Sequence, residues 1–95
     1  MPNSPKTTLV TGASSGIGKA LVKELLTEEY QVIGIARSQE KLSQLEKEIA
    51  SPRLHIYSCD VANVEAVRQL SSELKNKNQI PEIFFLNAGA AGSSA

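Results

Sequence analysis

The stretch Thr11-Gly12-Ala13-Ser14-Ser15-Gly16-Ile17-Gly18 constrains this chain more than any other. It follows the apolar run Thr7–Thr11 and opens a segment in which Ile17, Leu21 and Leu25 recur at helical spacing, with Val22 and Leu26 beside them. A glycine-rich turn between a strand and a helix N-terminus is an anion-binding arrangement. The unpaired first-turn N–H groups and the helix dipole both favour negative charge there. Gly12 permits the tight turn, Gly16 lets backbone approach a pyrophosphate, and Gly18 lets the helix pack close to the sheet. The spacing is Gly-x-x-x-Gly-x-Gly, not Gly-x-Gly-x-x-Gly. It fails as a nucleoside-triphosphate loop, because Ala20 follows Gly18-Lys19 where a magnesium-binding hydroxyl is needed and Ala13 replaces the first glycine.

The rest of the chain repeats the alternation. Val32–Ala36 is a second apolar run, and Ser38 is placed to cap a helix with Glu40 in its first turn and Leu42, Leu45 and Ile49 as its buried stripe. Ser51-Pro52 is expected to end that helix. Residues 54–59 read as a third strand, Asn63 as a cap, and Val64, Val67, Leu70 (or Ser71) and Leu74 as the face of a third helix. Pro81 precedes Ile83-Phe84-Phe85-Leu86, a fourth strand, with Tyr57 and both phenylalanines expected in the core. The order β-α-β-α-β-α-β specifies an α/β fold: an incomplete, doubly wound parallel sheet of Rossmann-like type with right-handed crossovers. Residues 1–95 are expected to form one unit, with 1–6 a flexible tail and 90–95 a loop or truncated end.

Charge and cysteine count remove several functions. Ten Lys+Arg balance ten Asp+Glu, so there is no cationic excess for nucleic acid. One Cys and one His cannot build a tetrahedral zinc site. No apolar run reaches membrane-spanning length, and the N-terminus lacks a signal-peptide pattern, so a cytoplasmic location with reduced Cys59 is expected. His55 and Cys59 read as structural residues, Cys59 as a small buried apolar one.

Three motifs together resemble one family, the short-chain dehydrogenase/reductases. They are the glycine stretch 11–18, Asp60-Val61 at the end of the third strand, and Asn87-Ala88-Gly89 at the end of the fourth. The resemblance runs from about Thr8 to Gly89 and identifies the chain as similar to the N-terminal, cofactor-binding half of that family's fold. It implies that Gly12, Ser14, Gly16, Ile17 and Gly18 line a pyrophosphate and its ribose. It further implies that Asp60 binds the adenine amino group with the Val61 backbone against the ring, and that Asn87, Ala88 and Gly89 flank the adenine ribose. The expected strand order is 3-2-1-4, leaving the fourth strand as an apolar edge that later parts of the family fold would cover. Leu86 and Glu29 depart from the family pattern, where a second Asn and a helix-ending glycine are common.

Cofactor choice follows from the second strand's end. An acid there accepts from the ribose 2′-hydroxyl and selects NAD; here Ala36 holds that place and Arg37-Ser38 follow. A guanidinium pairs bidentately with a phosphate, so NADP is expected over NAD, with Arg37 and Ser38 as readers and Ser15 as helper. The family's Tyr-x-x-x-Lys acid/base pair is not found: Tyr30 and Tyr57 are followed four residues on by Gly34 and Val61. No residue of this chain is therefore assigned to catalysis. The leading expectation is the NADP(H)-binding part of an oxidoreductase passing hydride between nicotinamide and a carbonyl or alcohol, homo-oligomeric when intact. A stand-alone nucleotide-binding module and an inactive remnant are the alternatives.

Overall fold

The computed structural model describes residues 6–86; the motif 87–89, the end 90–95 and residues 1–5 of the tail lie outside the described residues. The elements alternate as expected: β1 (Thr7–Thr11), α1 (Gly16–Thr27), β2 (Gln31–Ala36), α2 (Gln39–Ile49), β3 (Leu54–Ser58), α3 (Val64–Asn76) and β4 (Ile83–Phe85). All pairings are parallel, and the sheet order is β3-β2-β1-β4. Leu9 pairs with Ile33 and Phe84, and Ile33 pairs with His55, so the register runs unbroken across the sheet.

Period-two alternation divides the central strands between two cores. Val10 and Val32 face α1 and α2, packing with Val22, Leu25, Leu26, Leu42, Leu45 and Leu54. Leu9, Ile33 and Ile35 face the other way, with Cys59 and Leu74. Both faces are covered, which is why β1 and β2 read as continuous apolar runs. Gly34 falls on the α1–α2 face, where a Cβ would lie 3.1 Å from Ala13 Cβ, so the glycine loop rests directly on β2.

The helix faces differ in detail from the sequence expectation. On α1 the buried residues are Gly18, Val22, Leu25 and Leu26, whereas Ile17 is 78% exposed. The expected face otherwise holds, with Leu21 partly buried against the same core, and Ile17 alone stands outside it. On α3 only Leu74 is fully buried, with Val64 70% exposed, since this helix meets the sheet mainly through its second half. The phenylalanines are not core: Phe84 is 57% exposed at the β4 edge and lines an apolar groove of about 400 Å³ with Leu9, Leu70 and Leu74. Tyr57 is partly buried, and its hydroxyl donates to Gln79 Oε1 at 2.6 Å.

Helix ends follow capping chemistry. Ser38 and Asn63 side chains accept from the N–H groups of Lys41 (3.2 Å) and Ala66 (3.1 Å), as their positions in sequence imply. The α2 helix stops before Ser51-Pro52: Ala50 takes a left-handed conformation (φ 49°) and its N–H donates to Glu46 O at 2.7 Å. An L-residue is disfavoured there and glycine is not. Ala50→Gly is expected to raise stability by about 0.5–1 kcal/mol, read as a higher urea midpoint at unchanged slope. Glu29, which stands where the family favours glycine, is likewise left-handed at φ 70°.

Glu48 joins α1 to α2 by accepting from Lys19 at 2.8 Å and Lys23 at 2.7 Å. The hydrogen bond from Lys19, then that from Lys23, pulls its carboxyl from 4.5 down to about 2. A depressed acid contributes its stability above its unfolded value and loses it as pH falls through the folded one. A carboxyl-detected NMR titration should therefore place Glu48 near pH 2, with the bridge lost between about pH 4.5 and 2 and weakened by salt.

Candidate nucleotide site at the carboxyl ends of the strands

The carboxyl ends of β1, β2 and β3 open into one cleft of about 420 Å³. Its three walls arise from three short segments, each held by backbone hydrogen bonds.

The first wall is the glycine loop. Gly12 takes φ 64°, a conformation glycine adopts without penalty. Its carbonyl accepts from the Ser15 N–H (3.1 Å) and the Ser15 hydroxyl (2.8 Å), curling the loop into a turn. The Ala13 N–H donates to Ile35 O at 3.0 Å and fastens the loop to β2. A Cβ on Gly18 would fall on the Gly12 carbonyl, so close approach of helix to loop demands glycine at that place. This corrects the expectation for Gly18: the backbone it lets close is that of the loop at Gly12 and Ala13, not the sheet. A Cβ on Gly16, in contrast, meets nothing within 4 Å.

Ser15 is the N-cap of α1 but makes no side-chain cap bond, and the first turn of α1 carries no acid. The other two helices have both: a capping side chain, and Glu40 or Glu65 in the first turn. The α1 N-terminus thus keeps the anion-attracting character that side chains offset elsewhere.

The second wall is the end of β2. Arg37 is exposed, and its carbonyl accepts from Ser58 Oγ at 2.9 Å. Ser38 lines the cleft, and its Oγ accepts from the Lys41 N–H, a bond that does not use the hydroxyl hydrogen. Lys41 lines the same wall. Sequence reading missed it; the available signal was its place three residues after the capping serine, which puts it in the first turn beside the cap.

The third wall is the end of β3. The Cys59 N–H donates to Ala36 O at 2.9 Å, and burial, with the Asp60 charge adding to it, pushes the Cys59 thiol up. Cys59 is therefore a buried thiol, as expected. Asp60 Oδ1 accepts from the Ala62 N–H at 3.0 Å, and its carbonyl accepts from the Asn63 N–H at 2.9 Å. These bonds form the turn into α3 and hold the Asp60 carboxylate at the cleft, beside exposed Val61.

Of the residues picked from sequence, the cleft brings together Gly12, Ser14, Ser15, Arg37, Ser38, Asp60 and Val61. Gly16, Ile17 and Gly18 form the start of α1 and are not part of its lining. Asn87, Ala88 and Gly89 lie outside the described residues. His55 sits away from the cleft on β3, its Nε2 3.1 Å from Gln31 Oε1 and its Nδ1 accepting from Gln79 at 3.3 Å. Among the described residues no His, Cys, Asp and Glu cluster could hold a metal, and no helix is long and apolar enough to cross a membrane.

A parallel sheet in this order, with a glycine loop leading into α1 and a cleft at the strand ends, defines a Rossmann-like α/β protein. The short chain dehydrogenase family model matches residues 6–95, and the chain belongs to that family of oxidoreductases. It is 37% identical over 91 residues to an NADPH-dependent pterin aldehyde reductase of Arabidopsis thaliana, covering 95% of this chain and 38% of that protein. It is 38% identical over 87 residues to a farnesol dehydrogenase of Aedes aegypti, covering 88% and 36%. The chain thus spans little more than a third of the length of these relatives. Among solved structures it is similar to a short chain dehydrogenase/reductase family oxidoreductase of Aeromonas hydrophila, with TM-score 0.81, 28% identity and coverage of 95% and 42%. It is also similar to a 4-hydroxyisoleucine dehydrogenase complexed with NADH, with TM-score 0.77, 29% identity and coverage of 93% and 34%.

Proposed function

We propose that the cleft binds the adenosine and pyrophosphate portion of a nicotinamide dinucleotide, NADP(H) in preference to NAD(H). The observation that carries this reading is the pairing of an uncapped, acid-free α1 N-terminus with a β2 end that presents Arg37 and Ser38 and no carboxylate. In this reading the loop from Gly12 to Gly18 holds the pyrophosphate, with Ser14, Gly16 and Ile17 at its ribose. Open space beside Gly16 fits a ligand approaching the backbone closely. Asp60 accepts from the adenine amino group, Val61 lies against the ring, and Asn87, Ala88 and Gly89 flank the adenine ribose. The Ser15 hydroxyl hydrogen is turned to the Gly12 carbonyl, so Ser15 serves the loop first and a phosphate second.

The relatives do not by themselves choose the cofactor. One is NADPH-dependent by name, whereas one structural neighbour is complexed with NADH. The preference rests on Arg37. When bound, the nicotinamide supplies hydride chemistry; the residues of this chain bind and orient the cofactor's adenosine end. In the intact protein that chemistry would act on a carbonyl or alcohol, in a cytoplasmic homo-oligomer.

Calorimetric titration of the chain with NADPH and NADH tests the proposal. The expected result is tighter NADPH binding by roughly ten- to a hundredfold, the worth of one charge-assisted hydrogen bond. Equal affinities would remove the role given to Arg37, and binding of neither would remove the site.

A further inference from the structure

We propose that Lys41 is a second cationic reader of the cofactor's 2′-phosphate, so that nucleotide choice is shared between the end of β2 and the first turn of α2. This rests on the dinucleotide reading of the cleft given above.

Three observations carry it. Lys41 lines the same cleft as Arg37 and Ser38, and its own backbone N–H donates to Ser38 Oγ, fixing the turn that sets the lysine beside the serine. Neither Lys41 nor Arg37 belongs to an ion pair among the described residues, whereas Lys19, Lys23 and Lys77 are each taken up by a glutamate. Among the described residues, the one carboxylate lining the cleft, Asp60, lies at the end of β3 and is held by the Ala62 N–H. A dianionic phosphate beside Ser38 would then meet two unspent cations flanking a hydroxyl donor. Ser15, the helper expected from sequence, is the weaker candidate because its hydroxyl hydrogen is directed at Gly12 O. A lysine ammonium acts as a flexible point charge and needs no fixed fork geometry, so it suits a position on an exposed helix turn.

The probes are 2′,5′-ADP and 5′-AMP, which differ only in the 2′-phosphate, titrated into the full chain and its Lys41→Met, Lys41→Arg and Arg37→Met variants at low and at 0.5 M-range salt. Lys41→Met is expected to weaken 2′,5′-ADP by about two- to fivefold at low salt, as for an exposed charge pair, with less effect at high salt. It should leave 5′-AMP unchanged, and Lys41→Arg should restore the loss. The proposal is overturned, with the dinucleotide reading intact, if Lys41→Met leaves both affinities unchanged while Arg37→Met abolishes the preference. Equal weakening of both probes would also overturn it, because Lys41 would then support the fold and not the phosphate. A wild-type chain that binds both probes equally, or neither, overturns the proposal together with the reading beneath it.

Discussion

Gly18→Ala is expected to destabilise the chain by about 3 kcal/mol and to abolish nucleotide binding. The added methyl would fall on the Gly12 carbonyl, an atom already committed to the Ser15 N–H and hydroxyl. The obstacle is backbone, not a flexible side-chain tip, so relief requires the loop to lift from α1. Lifting the loop strains the bond from Ala13 N–H to Ile35 O and the packing of Ala13 against Gly34. Gly16→Ala is the control. Its methyl meets nothing within 4 Å, and position 16 opens the helix, so stability should change by less than about 0.5 kcal/mol. Nucleotide affinity should nevertheless fall, because the methyl occupies the space through which a pyrophosphate reaches the backbone. Urea denaturation and NADPH titration of both variants separate the two roles. If Gly16→Ala were as destabilising as Gly18→Ala, or if neither altered affinity, the assignment of one glycine to packing and the other to ligand would fail.

Arg37→Glu is expected to invert nucleotide preference. Removing the guanidinium forfeits a charge-assisted hydrogen bond, worth roughly 1.5–3 kcal/mol or about ten- to a hundredfold in affinity. The new carboxylate repels the 2′-phosphate and accepts from a 2′-hydroxyl, so NADPH should weaken by at least a hundredfold, on the order of one bond plus repulsion, while NADH holds or improves. Arg37 is exposed and its side chain supports no part of the core, so the fold should be unaffected. Dissociation constants for both cofactors, with denaturation as a check, decide it. Parallel loss of NADPH and NADH binding would contradict a role confined to the 2′-position.

Much of the architecture was legible because each element carries a local reason for its form. Gly12 at a turn, Ser38 and Asn63 at caps, and apolar runs between helical periods all signal through nearest neighbours in sequence. Strand order and the exposed β4 edge followed once the family resemblance supplied the topology. The errors share a cause. Ile17, Val64 and Phe84 have the right residue type for a core, but burial depends on which part of an element overlies the sheet, and periodicity does not encode that. The end of α2 before Ser51-Pro52 was legible from the proline, whereas the left-handed conformation of Ala50 at that end carries no sign in sequence. His55 was read as structural, but its partners Gln31 and Gln79 were not legible because each lies 24 residues away in sequence. In the cleft, the loop, Arg37, Ser38 and Asp60 could be picked by motif, whereas Lys41 emerged only when α2 was set against the end of β2.

The central claim is that the cleft at the strand ends is a dinucleotide site, and a two-dimensional amide NMR titration with NADPH tests it most directly. The account predicts that the largest shifts fall on the amides of Gly12, Ser14, Gly16, Ile17, Arg37, Ser38, Asp60 and Val61. Amides of Thr27, Ile49 and Arg53, remote from the cleft, should hold still. Shifts centred on that remote group, or saturating NADPH without change at the glycine loop, would contradict it.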